Sequence, residues 1–196
     1  MNDKSDSSGV KLWQGFKEGN RQAFDALLRQ YYPLLLNYGL RLVSDKLLVE
    51  DCLQDLFIDL WNKRAGLGIP QNLNAYLLSS FRRRLFREKD KNNRRGFKSE
   101  PLEDYNFEVQ FDIETHLIER EDENRTYEKL KQHIDSLTKR QKEAIYLRFY
   151  QELDYTDIAQ IMAINQHSAI NLVYDALKLL RKNWVISLFF MLSIIF

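Results

Sequence analysis

Cysteine is almost missing from this chain: Cys52 is the only one in 196 residues. That excludes a disulfide framework and a thiolate metal site, and it fits a reducing compartment. Cys52 lies beside Leu53 and Leu56, the setting of a packed thiol rather than a reactive one. Three prolines and seven glycines are too few to interrupt the chain often. With abundant Leu, Lys, Arg, Glu and Gln, the expectation is an all-α protein. His116, His133 and His167 are dispersed without metal-ligand spacing, and no glycine-rich loop is present to cradle a phosphate. Neither an enzymatic site nor a metal or other cofactor is therefore expected. The opening stretch MNDKSDSSGVKLW has no apolar signal-peptide core, so a cytoplasmic location is expected. No repeat of fixed period is visible. The only long apolar run is WVISLFFMLSIIF, residues 184–196. As a helix it spans about 20 Å against about 30 Å for a bilayer core, so it should not cross a membrane alone. Packing on protein is the expectation, and membrane contact after Arg181, Lys182 and Trp184 is the alternative.

What the chain does contain is 44% hydrophobic residues, enough for a core, and a net charge of +1 that conceals an asymmetry. Residues 1–98 carry 18 Lys and Arg against 11 Asp and Glu, residues 99–128 carry 2 against 11, and residues 129–196 carry 9 against 6. Two basic blocks flank an acidic one, the pattern of a modular chain whose blocks meet anionic partners.

Apolar spacing resolves the basic blocks into helices. Leu12, Phe16, Phe24, Leu27, Leu28, Tyr31, Leu35, Tyr38 and Leu42 recur at helical intervals, with Gly19, Asn20 and Pro33 as expected breaks or caps. A second helix is expected from about Asp45 to Arg64. The loop AGLGIPQNL follows, and a third helix begins near Asn72 and fades into a basic tail. Residues 99–112 have no helical period and hold a proline and several acids, so an exposed linker is expected. Helix resumes around Ile113 and ends in a stretch presenting Leu130, Ile134 and Leu137. The segment DYTDIAQIMAINQHSAINLVYDALKLLR, Asp154 to Arg181, then predicts a short helix, a tight turn and a second helix.

On the second helix Asp51, Asp55 and Asp59 fall four residues apart, with Glu50 and Gln54 alongside and Val49, Leu53, Leu56, Phe57 and Leu60 on the opposing face. Like charges so spaced cost an isolated helix about 0.3 kcal/mol per pair. The stripe is either a solvated face or a docking surface for a basic partner. On the third helix Leu73, Leu77, Phe81 and Leu85 form the buried stripe. Tyr76, Ser80, Arg83 and Arg87 share an outer flank, with Ser79, Arg82 and Phe86 beside them. Cations mixed with exposed rings suit opened DNA, because cations neutralise phosphates and rings stack on bases. A solvated basic helix is the alternative. In the last pair, Ile158, Ala159, Met162, Ala169, Val173, Ala176, Leu177 and Leu180 face inward, and Asn165 is placed to cap the second helix. His167, Asn171, Tyr174 and Lys178 point outward, with Ser168 and Asp175 near them. Asn can pair with adenine, and Ser, His and Tyr can reach phosphates or base edges. An ordinary pair of core helices gives a similar pattern.

Taken in order, these pieces resemble a bacterial RNA polymerase sigma factor of the extracytoplasmic-function group of the sigma-70 family, over about residues 12–182. FDALLRQYYPLLLNYGLRLV is similar to the opening of sigma domain 2. VEDCLQDLFIDLW resembles the group's acid-acid-x-x-Gln-Asp-x-Phe helix ending in Trp, here Glu50, Asp51, Gln54, Asp55, Phe57 and Trp61. NAYLLSSFRRRLFRE is similar to the promoter-melting helix, with Tyr76 where many members have Trp. LTKRQKEAIYLRFYQELDYTDIAQIMAIN looks like the start of sigma domain 4.

The resemblance implies sigma domain 2 over residues 10–96, an acidic linker over 97–124, sigma domain 4 with its helix-turn-helix over 125–182, and an apolar tail over 183–196. It implies that Asp51, Gln54, Asp55 and Phe57 dock on the polymerase clamp, with the flap as a further contact of the core enzyme. The loop from Gly66 to Asn72 would capture a flipped base of the minus-ten element, and Asn72, Tyr76, Arg82, Arg83 and Arg87 would hold the separated strand. His167, Ser168, Asn171, Tyr174 and Lys178 would meet the minus-thirty-five element. Partners are then core polymerase, promoter DNA and an anti-sigma factor that holds the protein inactive, while the acidic linker threads the channel later taken by RNA. Two departures from the family pattern stand out: Ile170, Leu172 and Asp175 occupy positions expected to be basic, and Ala163 replaces the turn glycine. They imply that affinity for DNA comes mainly through domain 2 and the polymerase. A stand-alone helix-turn-helix regulator is the rival reading; it needs neither the acidic second helix nor the arginine-rich third.

Overall fold

The structure, a computed structural model, describes residues 3–95, 105, 107–108 and 133–182. The apolar tail, most of the acidic linker and the expected helix from Ile113 as far as residue 132 lie outside the described residues. Among the described residues every regular element is helical. The chain divides into two units, one built on residues 1–106 and 160–163 and the other on residues 107–159 and 164–196.

The first unit holds α1 (Asp3–Lys17), α2 (Arg21–Leu42), α3 (Lys46–Lys63) and α4 (Leu73–Arg95). The break between α1 and α2 is local chemistry. Gly19 adopts φ +86, and the Asn20 side chain accepts from the Gln22 and Ala23 amides at 2.9 and 3.2 Å, capping α2. Pro33, expected as a break, lies inside a continuous α2. Proline leaves the Arg29 carbonyl without its helical donor, but Pro33 and Arg29 both lie on the exposed face, where water replaces that donor. Leu27, Tyr31, Leu35 and Tyr38 hold the helix down on the other side. Asp45 caps α3 through the Leu48 amide at 3.1 Å, and α3 closes in a 3-10 turn over Arg64–Gly66.

An aromatic wedge holds the helix ends together. Phe24 of α2 lies 5.7 Å from Phe16 of α1 and 4.9 Å from Trp61 of α3 between ring centroids, and Arg64 caps the outer Trp61 face at 4.3 Å. At the other end α2 approaches α3 and α4 at Gly39. A Cβ there would lie 2.7 Å from Phe81 Cε1 and 2.8 Å from Val49 Cγ1, so hydrogen is the only side chain that fits. Cys52 is buried among these helices, and burial, reinforced by the nearby Glu88 carboxylate, pushes its thiol up to about 11. It is the packed thiol the sequence suggested.

The second unit is built from α5 (Lys139–Ile145), a π-helical turn over Tyr146–Tyr150, α6 (Tyr155–Met162) and α7 (Gln166–Lys182). Thr138 and Gln141 form a reciprocal capping box at the start of α5. Arg148 donates to the Leu153 carbonyl at 2.9 Å and lies 5.0 Å over the Tyr155 ring, fixing the turn into α6. Ala144, Ala159, Ala169 and Ala176 are buried together with larger side chains such as Leu147, Ile158, Val173 and Leu180.

Candidate nucleic-acid interface

On α3 the expected acidic stripe is real but not bare. Asp51, Gln54 and Asp55 are exposed, and exposed Leu47 and Ile58 flank them on the same face. Arg84, reaching over from α4, donates to Asp55 at 3.3 Å and to Asp59, while Lys63 lies 3.9 Å from Asp59. The repulsion expected of the isolated helix is thus offset by a cation from its neighbour. The Arg84 side chain is 13% exposed and that of Asp55 is 62% exposed, so the guanidinium is spent inside the unit while the carboxylate still faces water.

Phe57 departs from the expectation. It is 5% exposed, packed on Tyr32 and edge-on to Phe24, with centroids at 6.5 and 6.4 Å. It fell on the apolar face by spacing, and that is where it stays, seating α3 on α2.

On α4 the buried stripe Leu73, Leu77, Phe81 and Leu85 is as expected. Arg83 and Arg87 are exposed on the outer flank; Arg83 Nε donates to the Ser79 carbonyl at 3.2 Å, and Arg87 lies 3.5 Å from Glu88. Glu88 is held below the usual carboxylate range by its hydrogen bond to Lys91 and by the charges of Lys91 and Arg87. Ser79 and Phe86, expected beside this flank, are buried instead. The cause for Phe86 is a chain segment far along the sequence: Tyr105 packs edge-on against it at 5.4 Å, and Arg82 lies 4.7 Å over Phe86 and 5.6 Å over Tyr105. Arg82 is thus half-buried on rings, whereas Arg83 and Arg87 are exposed.

Asn72 caps α4, its side-chain oxygen accepting from the Ala75 amide at 3.2 Å, so that oxygen is engaged by the backbone. Tyr76 is half-buried, edge-on to Trp13 of α1 at 5.6 Å. Trp13 also donates its indole N–H to the Gly68 carbonyl at 2.9 Å, tying α1 to the loop between α3 and α4. Neither Arg84 nor Trp13 figured among the expected site residues. Arg84 had a signal, since it lies seven residues after Leu77 at the rim of the buried stripe. Trp13 had none, because its partner is 55 residues away.

In the second unit α6 and α7 form the expected hairpin. Ala163 takes φ +54, the left-handed turn conformation that a glycine would adopt freely. Asn165 caps α7 through the Ser168 amide at 2.7 Å. His167, Asn171, Tyr174 and Lys178 are exposed, and Ser168 is half-buried at the cap. Tyr174 is 63% exposed, and Ile170 one turn before it is also exposed. From Gln166 to Leu177 the helix has no cation, so Lys178 is its first positive charge.

With this geometry in view, the family model for Sigma-70 region 2 matches residues 27–95 and that for Sigma-70, region 4 matches residues 127–180. No curated protein matches the chain. The fold is similar to that of the sigma factor RpoE from Bartonella quintana, solved in complex with the anti-sigma factor NepR. The TM-score is 0.57 at 21% identity, covering 83% of this chain and 97% of that one. It is also similar to CnrH, solved in complex with the cytosolic domain of CnrY, with a TM-score of 0.52 at 14% identity, covering 88% of this chain and 94% of that one.

Proposed function

The chain belongs to the sigma-70 family, in its extracytoplasmic-function group, and on that premise we propose which of its surfaces carry out the family's work. It directs core RNA polymerase to promoters, recognising promoter DNA and taking part in its melting at initiation. The reading of the sites rests on one observation: two adjacent helices of the first unit offer opposite charge to solvent, Asp51 and Asp55 on α3, Arg83 and Arg87 on α4.

Asp51, Gln54 and Asp55 dock on a basic surface of the polymerase clamp, with Ile58 supplying apolar contact beside them. Arg83 and Arg87 hold the phosphates of the separated strand, Tyr76 offers a ring edge, and the loop 66–72 receives a flipped base of the minus-ten element. Residues 10–96 serve as sigma domain 2, residues 97–124 as the linker, and residues 125–182 as sigma domain 4, which also meets the polymerase flap. His167, Asn171, Tyr174 and Lys178 face the minus-thirty-five element, with base edges and shape contributing more than phosphate charge. The protein works in the cytoplasm; among the described residues no helix is long and apolar enough to cross a membrane. It is held inactive by an anti-sigma factor, a reading supported by the complex in which RpoE was solved.

Run-off transcription with purified core polymerase tests the whole reading. Specific initiation only when this protein is added is the expected result. Duplex binding without initiation would instead make it a stand-alone regulator.

A further inference from the structure

The loop between α3 and α4 is anchored at both ends by its own neighbourhood. At its start the Leu67 amide donates to the Arg64 carbonyl at 3.3 Å, and at its end Asn72 caps α4. Between these ends a third anchor arrives from elsewhere, the 2.9 Å hydrogen bond from the Trp13 indole to the Gly68 carbonyl. Trp13 is 1% exposed and its ring lies 5.0 Å from Phe16 and 5.6 Å from Tyr76. Phenylalanine or leucine could occupy that apolar site, but neither brings a donor, and a buried indole N–H needs an acceptor. The other side of the loop is open. An added Cβ at Gly66 or Gly68 would meet nothing within 4 Å, and Ile69 at the tip is exposed. One residue of α1, fourteen positions before the region 2 match begins, therefore touches both the loop and Tyr76.

We propose that Trp13 is a positioning residue for minus-ten recognition: its indole fastens the Gly68 carbonyl while its ring edge braces Tyr76, so that loop 66–72 and the Tyr76 ring meet a flipped base in one fixed register. The inference rests on the reading that this loop receives a base. It gives α1 a task in promoter selectivity. A loop free to sample several positions would accept several bases; one held at its midpoint discriminates by fit.

The test uses the full chain with core polymerase on two promoters that differ only at the captured minus-ten base. Trp13→Phe removes the N–H and keeps a ring against Tyr76. Its open-complex preference for the parent promoter should fall about fivefold with core affinity close to the parent's, while the smaller buried ring and the lost hydrogen bond also lower the melting temperature somewhat. A merely structural role would lower stability and leave that ratio alone. Asn72→Ala and Ile69→Gly separate the levels. If both lose discrimination while Trp13→Phe keeps it, the tether is refuted and the loop reading survives. If neither loses it, the loop receives no base and the tether falls with that reading. Indole exchange in the unaltered protein gives an arm free of substitutions: a strongly protected Trp13 N–H is expected, and exchange as fast as a free indole overturns the proposal.

Discussion

The two units solve helix packing in opposite ways. In the first, long helices carry Trp13, Phe16, Phe24, Phe57 and Trp61 into a shared aromatic cluster, and at Gly39 two of them close to where no Cβ fits. In the second, buried alanines sit among aliphatic side chains such as Leu147, Ile158, Val173 and Leu180, and the chain reverses through Ala163 at φ +54 and Glu152 at φ +53, both left-handed and neither glycine. Their surfaces differ in the same sense. The first puts cations and anions on neighbouring faces at high density; the second shows Ile170 and Tyr174 where a phosphate binder would carry arginine. Charge attracts at a distance and is insensitive to sequence, whereas apolar and amide groups act only in contact. The comparison teaches that the two units offer different kinds of contact, dense charge on the first and apolar and amide groups on the second.

The largest effect that could break this comparison is expected at the docking face. Gln54→Ala with Asp55→Arg should weaken core binding by roughly a hundredfold, since like charges brought together at an interface cost several kcal/mol. Unchanged affinity in a titration against core polymerase, with helical content preserved, would remove the face from the account. Next is the packing contrast. Gly39→Ala should destabilise the first unit by about 2 kcal/mol through overpacking, read as a lower denaturation midpoint. Replacing Arg83 and Arg87 together by Ala should slow open-complex formation about tenfold while leaving core binding intact, with permanganate reactivity of the minus-ten thymines as the readout. Ala163→Gly should go the other way and stabilise the second unit by about 1 kcal/mol, because glycine enters the left-handed region without penalty. Smallest of all, Lys178→Ala should lower the salt slope of duplex binding by about one, as one phosphate contact disappears. A much larger loss would mean that the second unit grips after all.

Sequence periodicity was enough for α3, α4 and the α6–α7 hairpin, because their buried faces recur at helical spacing and their caps, Asp45 and Asn165, are local. It was also enough for the exposure of Asp51, Asp55, Arg83 and Arg87. What it could not give depends on partners distant in the chain. Phe86 looks like a flank residue on a helical wheel until Tyr105 covers it. Phe57 has a place in the family motif, but its neighbours Tyr32 and Phe24 come from α2. Pro33 misleads for a different reason: a proline rule that treats the helix as isolated ignores the buried face that keeps α2 continuous. Of the three consecutive arginines, each ended with a different neighbour: aromatic rings for Arg82, the Ser79 carbonyl for Arg83, and aspartates for Arg84. No local rule distinguishes them.

Arg84 has one more consequence. A carboxylate on a surface helix normally samples several rotamers, and a partner that binds it must freeze that motion, at about 1 kcal/mol for each flexible side chain. Asp55 and Asp59 share a single guanidinium, so much of that freedom is lost when the chain folds. On the proposed docking, the polymerase would meet acids already aimed, and association would be quick and orientation-selective without a greater surface charge.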